Sequence, residues 1–149
     1  MSGHTVEEAT FDIQPYKLHL LDSGPATTST LTRPDALQFY EDMVVVRRME
    51  TAAANLYKEK AIRGFCHLCS GQEAICCGIK AGIREQDTII TSYRAHGFTY
   101  MMGVPVSGVL GELAGKQSGC VRGKGGSMHM YAKNFYGGKK RSKLKRAWN

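Results

Sequence analysis

Six of the seventeen glycines in this 149-residue chain fall between positions 119 and 138: Gly119, Gly123, Gly125, Gly126, Gly137 and Gly138. Glycine costs a helix interior about 1 kcal/mol relative to alanine and surrenders more backbone entropy on ordering than any other residue, so this stretch is predicted as loop. A loop without Cβ atoms lets its backbone amides approach a ligand closely. The residues upstream must then supply the core.

Helical patterning begins at Thr32. Pro34 and Asp35 suit a first turn, and Leu37, Tyr40, Val44, Met49, Ala53 and Leu56 recur at helical spacing as far as about Lys60. Ser70 and Glu73 have the spacing of a capping box, which predicts a second helix running to about Ala81. Ile89 and Ile90, within 87–92, suit a buried strand. Val106 to Ala114 has the spacing of another short helix, weakened by Gly108 and Gly111. Residues 1–30 are polar, contain Pro15 and Pro25, show no sustained period and read as an extended arm.

Composition narrows the function classes. With 42% apolar and 22% charged residues the chain is globular in type, and no apolar run approaches the roughly 18 residues of a membrane helix. The net charge of +7 is uneven: Lys139, Lys140, Arg141, Lys143, Lys145 and Arg146 crowd the end, leaving +1 for residues 1–138. Residues 139–149 form a basic tail whose only aromatic is Trp148, which favours solvated charge over nucleic-acid binding. Glu7 and Glu8 near the start argue against a transit peptide, so no targeting segment is legible. Five cysteines, an odd count, point to free thiols. Cys66, Cys69, Cys76 and Cys77 invite a zinc reading, but neighbours on a helix diverge by about 100° and cannot face one ion. Buried reduced thiols account for them better.

Three segments carry candidate chemistry. Tyr93-Arg94-Ala95-His96-Gly97 follows the predicted strand, where ligands bind in open α/β sheets. The planar fork of Arg94 suits a phosphate; a solvated arginine beside a half-buried tyrosine is the alternative the pair leaves open. His67 lies between two predicted helices, where an imidazole can serve as acid, base or hydrogen-bond donor. A purely structural histidine is its alternative, and His96 and His129 carry weaker signals still. Arg122 to Ser127 combines amide donors, two cations and conformational freedom, the ingredients of an anion-binding nest. Its spacing matches neither the Walker A loop nor the dinucleotide fingerprint.

Taken together, Arg63-Gly64-Phe65-Cys66-His67-Leu68-Cys69-Ser70-Gly71-Gln72-Glu73-Ala74, then Tyr93-Arg94-Ala95-His96-Gly97, then the run from Gly123 through Ser127-Met128-His129-Met130-Tyr131-Ala132 to Gly138 closely resemble the alpha subunits of the pyruvate dehydrogenase E1 family in wording, order and spacing. The similarity also takes in Leu31-Thr32-Arg33 and Val46-Arg47-Arg48-Met49-Glu50.

This resemblance implies an α/β fold class, with residues 31–138 the amino-terminal part of a parallel-sheet thiamine-diphosphate-binding domain, incomplete in this chain. It implies oxidative decarboxylation of pyruvate feeding acetyl-CoA formation, with thiamine diphosphate and magnesium as cofactors. It further implies an E1 beta subunit completing a heterotetramer, the lipoyl domain of E2 as acceptor, and residence in the mitochondrial matrix. By position, His67 matches the active-site histidine that binds substrate, Tyr93 a residue lining the cofactor and substrate, and Arg94 one directed at the diphosphate. Ala132 and Gly138 match backbone positions beside the cofactor. After Gly138 the resemblance stops, short of the Gly-Asp-Gly…Asn segment that holds magnesium in the family, so no metal ligand is expected among these residues. A catalytically inactive fragment that acts by binding the beta subunit is the second reading.

Overall fold

The structure, a computed structural model, describes residues 6–138; the basic segment 139–149 lies outside them. The chain divides into two compact units, Met1–Glu41 and Asp42–Asn149.

In the first unit, the stretch expected as an extended arm is extended but paired. Strand β1 (Glu8–Asp12) runs antiparallel to β2 (Thr28–Thr32), with Glu8 opposite Thr32 and Asp12 opposite Thr28. Thr32 then starts helix α1 (Arg33–Lys58): its hydroxyl accepts the Asp35 N–H at 3.3 Å and donates to the Asp35 carboxylate at 2.7 Å. Such a cap satisfies one of the four orphan donors of a first turn.

In the second unit, the later part of α1 buries Val46, Met49, Glu50 and Ala53, one stripe at i, i+3, i+4 and i+7. Leu37, Tyr40 and Val44, expected on the same face, are exposed. The five-residue step from Val44 to Met49 turns the stripe by about 140° at 3.6 residues per turn. The helix closes with Lys60 in the left-handed region (φ 61°) and the Ala61 N–H donating to the Leu56 carbonyl at 2.9 Å.

Helix α2 (Glu73–Gly82) begins later than the capping-box reading places it. Gln72 occupies the cap position without a side-chain bond, and Glu73, instead of closing a box with Ser70, turns its carboxylate to the Gly71 N–H and to Arg47. Strand β3 shrinks to Ile89–Ile90 and Ile90 is exposed, since β3 is an edge of its sheet among the described residues. Helix α3 (His96–Met101) was not apparent in the sequence; α4 (Val106–Leu113) was. Gly97 lets α3 pack onto the thiols of α2 and the loop before it, for a Cβ there would lie 2.8 Å from Cys76 Sγ and 3.2 Å from Cys69 Sγ. The glycine-rich segment holds a hairpin of β4 (Tyr131–Ala132) and β5 (Phe135–Tyr136), and β5 pairs parallel with β3 through Ile89 and Phe135.

Two apolar clusters fill this unit. Met49, Ala53, Ile62, Val109, Leu113 and Met130 form one; Val46, Cys69, Cys76 and Cys77 form the other. The cysteines are free thiols. The result is a mixture of helices with small sheets, including one parallel pairing, and no described helix is long and apolar enough to cross a membrane.

Candidate active site

His67 precedes the neighbouring pair Tyr93 and Arg94 by more than 25 residues in sequence, yet its ring lies against them in space. The His67 ring lies 4.8 Å from the Tyr93 ring and 4.5 Å from the Phe65 ring, centroid to centroid. The Arg94 guanidinium sits 5.5 Å from the Tyr93 ring centroid, within reach of a cation–π attraction. One arm of Arg94 donates to the Leu68 carbonyl, tying the arginine to the loop that carries His67. No carboxylate among the described residues pairs with Arg94, so most of its fork is uncommitted.

Partial burial, then the charge of Arg94 and the proximity of His96, hold the His67 imidazole below its ordinary pKa. All three causes disfavour the cation. His67 is therefore neutral near pH 7, able to accept a proton at one ring nitrogen and donate at the other.

Behind the His67 loop lies a buried polar network. Glu50 Oε1 is 2.7 Å from His96 Nδ1, and His96 Nε2 is 2.8 Å from Ser127 Oγ. Glu50 and His96 are both 0% exposed. The network grips the His67 loop twice: Ser127 Oγ accepts the His67 N–H at 2.8 Å, and Glu50 Oε2 accepts the Cys69 N–H at 3.0 Å. Buried polar groups persist when paired in this way.

The expected anion nest exists and is filled from within. Glu112, buried on α4, accepts the N–H groups of Val121 and Gly123 on Oε2, both at 2.8 Å, and those of Gly125 and Gly126 on Oε1, at 2.6 and 3.2 Å. Four amides of 121–126 are therefore spoken for by a protein carboxylate, and those of Arg122 and Lys124 donate to the Gly119 and Val121 carbonyls. Nearby, His129 Nδ1 is buried with no hydrogen-bond partner among the described residues.

The Gly138 N–H donates to the Thr91 carbonyl at 3.3 Å, just past β3 and two residues before Tyr93. Its φ of +57° and a Cβ position only 1.8 Å from the Met128 carbonyl oxygen exclude any side chain. Ala132 lies in β4 opposite Phe135, two strands from β3.

Residues 41–147 match the model of a family described as Dehydrogenase E1 component. The chain belongs to the dehydrogenase E1 family. This E1 chain is 58% identical over 137 residues to the mitochondrial somatic-form pyruvate dehydrogenase E1 component subunit alpha of Homo sapiens, covering 92% of the chain and 35% of that protein. It is 62% identical over 131 residues to the probable mitochondrial counterpart of Caenorhabditis elegans, covering 88% and 33%. The protein of Sminthopsis macroura is 60% identical over 131 residues, covering 88% and 36%. The chain thus spans about a third of the length of the curated relatives it matches.

Sequence reasoning missed Glu50 and Glu112 of the E1 chain. A readable signal was present for each: an acid in the buried stripe of a helix, Glu50 among Val46, Met49 and Ala53, and Glu112 between Val109 and Leu113. A buried carboxylate persists only with partners, so such a placement predicts a network.

Proposed function

We propose that this chain is part of a pyruvate dehydrogenase E1 alpha subunit of the mitochondrial matrix, and that His67, Tyr93 and Arg94 face thiamine diphosphate and the 2-oxo acid. The observation that carries the reading is their assembly into one stack, with the Arg94 fork largely uncommitted, in a chain about 60% identical to proteins named as E1 alpha subunits. A guanidinium without a carboxylate partner, held by an aromatic face and a carbonyl, fits a diphosphate.

Thiamine diphosphate, when bound, supplies the carbon centre that takes up the 2-oxo acid and accepts the electron pair left as carbon dioxide departs. The chain's own contribution is positioning and charge. Arg94 neutralises diphosphate oxygens, Tyr93 holds the guanidinium in place, and neutral His67 donates its ring N–H to the substrate carboxylate. Ala132 and Gly138 are assigned backbone positions beside the cofactor, Gly138 because its close approach to Thr91 and Met128 keeps that rim narrow.

Magnesium is the expected companion of the diphosphate, but the described residues offer no group of three or more His, Cys, Asp or Glu side chains to hold it, and no ligand is assigned here. Phe65 and Tyr93 remain 71% and 48% exposed beside His67, an open flank suited to cover by an E1 beta subunit. The lipoyl domain of E2 would accept the two-carbon unit.

Calorimetric titration tests the assignment in an alpha subunit containing these residues and assembled with beta. Arg94→Gln should weaken thiamine-diphosphate binding about ten- to a hundredfold, the range for losing a charge-assisted hydrogen bond, while leaving the apparent affinity for pyruvate within about twofold. An unchanged cofactor isotherm refutes the role of Arg94.

A further inference from the structure

We propose that Glu50, His96 and Ser127 form a positioning relay that sets the place of His67 from behind. This inference rests on the reading of His67 given above. The His67 backbone N–H only donates, so Ser127 Oγ accepts it, and the hydroxyl proton of Ser127 must go elsewhere. The nearest acceptor is His96 Nε2, at 2.8 Å. That leaves the ring proton of His96 on Nδ1, facing Glu50 Oε1 at 2.7 Å, while Glu50 Oε2 takes the Cys69 N–H. Each donor has one acceptor and each acceptor is used. The carboxylate fixes the tautomer, the tautomer fixes the hydroxyl, and the hydroxyl fixes the amide of the histidine that carries the exposed ring.

The arrangement looks like a Ser–His–carboxylate nucleophile but cannot act as one. Glu50 and His96 are fully buried and Ser127 is nearly so, which leaves a substrate no approach to the hydroxyl, and one of its two lone pairs is already taken by the His67 amide. Its output is geometric. The two amides it holds, His67 and Cys69, flank Leu68, whose carbonyl receives Arg94. One network therefore registers both the histidine and, through Leu68, the arginine.

A double-mutant cycle separates positioning from general stability, because residues acting through one another give non-additive losses. In the assembled alpha–beta enzyme, Ser127→Ala should lower kcat roughly ten- to a hundredfold, the scale of a misplacement near 1 Å, with KM for pyruvate within about threefold. In a His67→Ala background the same change should cost no more than about twofold. Amide hydrogen exchange in the peptide spanning 66–69, measured without cofactor, should speed up about tenfold or more in Ser127→Ala. Should Ser127→Ala fail to assemble, Glu50→Gln replaces it in the same cycle with the same expectations: its amide must turn an NH2 toward either the Cys69 N–H or His96 Nδ1, and either choice breaks the chain of donors.

Multiplicative losses in the double variant, or unaltered exchange at 66–69, overturn the relay. Full activity in His67→Ala alone overturns the reading of His67 instead, and the exchange measurement then still decides whether the network holds the loop.

Discussion

The Oε1 oxygen of Glu112 lies 2.6 Å from the amide nitrogen of Gly125, and the same carboxylate gathers three further amides of the glycine-rich loop. A single side chain thus shapes the turn of 121–126. Glu112→Gln keeps the volume but points an NH2 at two amide donors, each costing about 1–3 kcal/mol when left unpaired in the interior. The expected loss is about 2–6 kcal/mol in urea unfolding, with the slope unchanged. A loss below about 0.5 kcal/mol would show that water readily takes the place of the carboxylate.

His67→Ala should separate activity from stability. The ring is only partly buried and its backbone amide, which Ser127 holds, survives the substitution. Turnover should fall about a hundredfold, the lower range for losing an acid–base group, while the thermal midpoint moves by no more than about 2 °C. Unfolding with normal residual activity would make the histidine structural.

Acid should weaken the protein at one identifiable pair. Arg47, chiefly through its hydrogen bonds, holds the Glu73 carboxyl down from its ordinary 4.5 to about 2. A depressed carboxylate contributes stability that is fully present above the unfolded value of 4.5 and is lost as pH falls toward about 2. Thermal midpoints of wild type and Arg47→Met should differ at neutral pH and converge across that window. Parallel curves down to pH 2 would show that the pair contributes nothing.

The thiols of Cys69 and Cys76 should be inert in the native protein. Burial, first among the causes, pushes both up to about 12. Only the thiolate reacts, and at pH 7.5 fewer than about one in ten thousand of each would be ionised. Mass spectrometry after iodoacetamide treatment should find both unlabelled until denaturant is added. Rapid native labelling would mean that α2 and α3 separate readily.

Local signals read well where one segment decided its own conformation. Pro34 and Asp35 marked the start of α1, and Val106 the start of α4, because turn chemistry and apolar spacing act within a few residues. The capping box at Ser70 failed because Arg47, 26 residues away, competes for the Glu73 carboxylate. Helix α3 went unseen because six residues containing Gly97 hold too little periodicity, and its stability comes from packing on Cys69 and Cys76. The nest was legible as a set of amides, but not its occupant, since nothing local says that Glu112 folds back over 13 residues to reach Gly125. The cluster of His67, Tyr93 and Arg94 was available only through the family resemblance; spacing along the chain does not encode a ring contact across 26 residues.

The hydrogen bonds around His96 join residues 46, 31 and 60 positions apart: Glu50 to His96, His96 to Ser127, and Ser127 to His67. In the language of contact order these are distant closures, and none is rewarded until the others are in place. The geometry of the His67 loop is accordingly a cooperative property of the whole span from α1 to Ser127. A peptide, proteolytic piece or graft lacking any one of those segments would strip the remaining donors of their acceptors and carry the residues of the site without its shape.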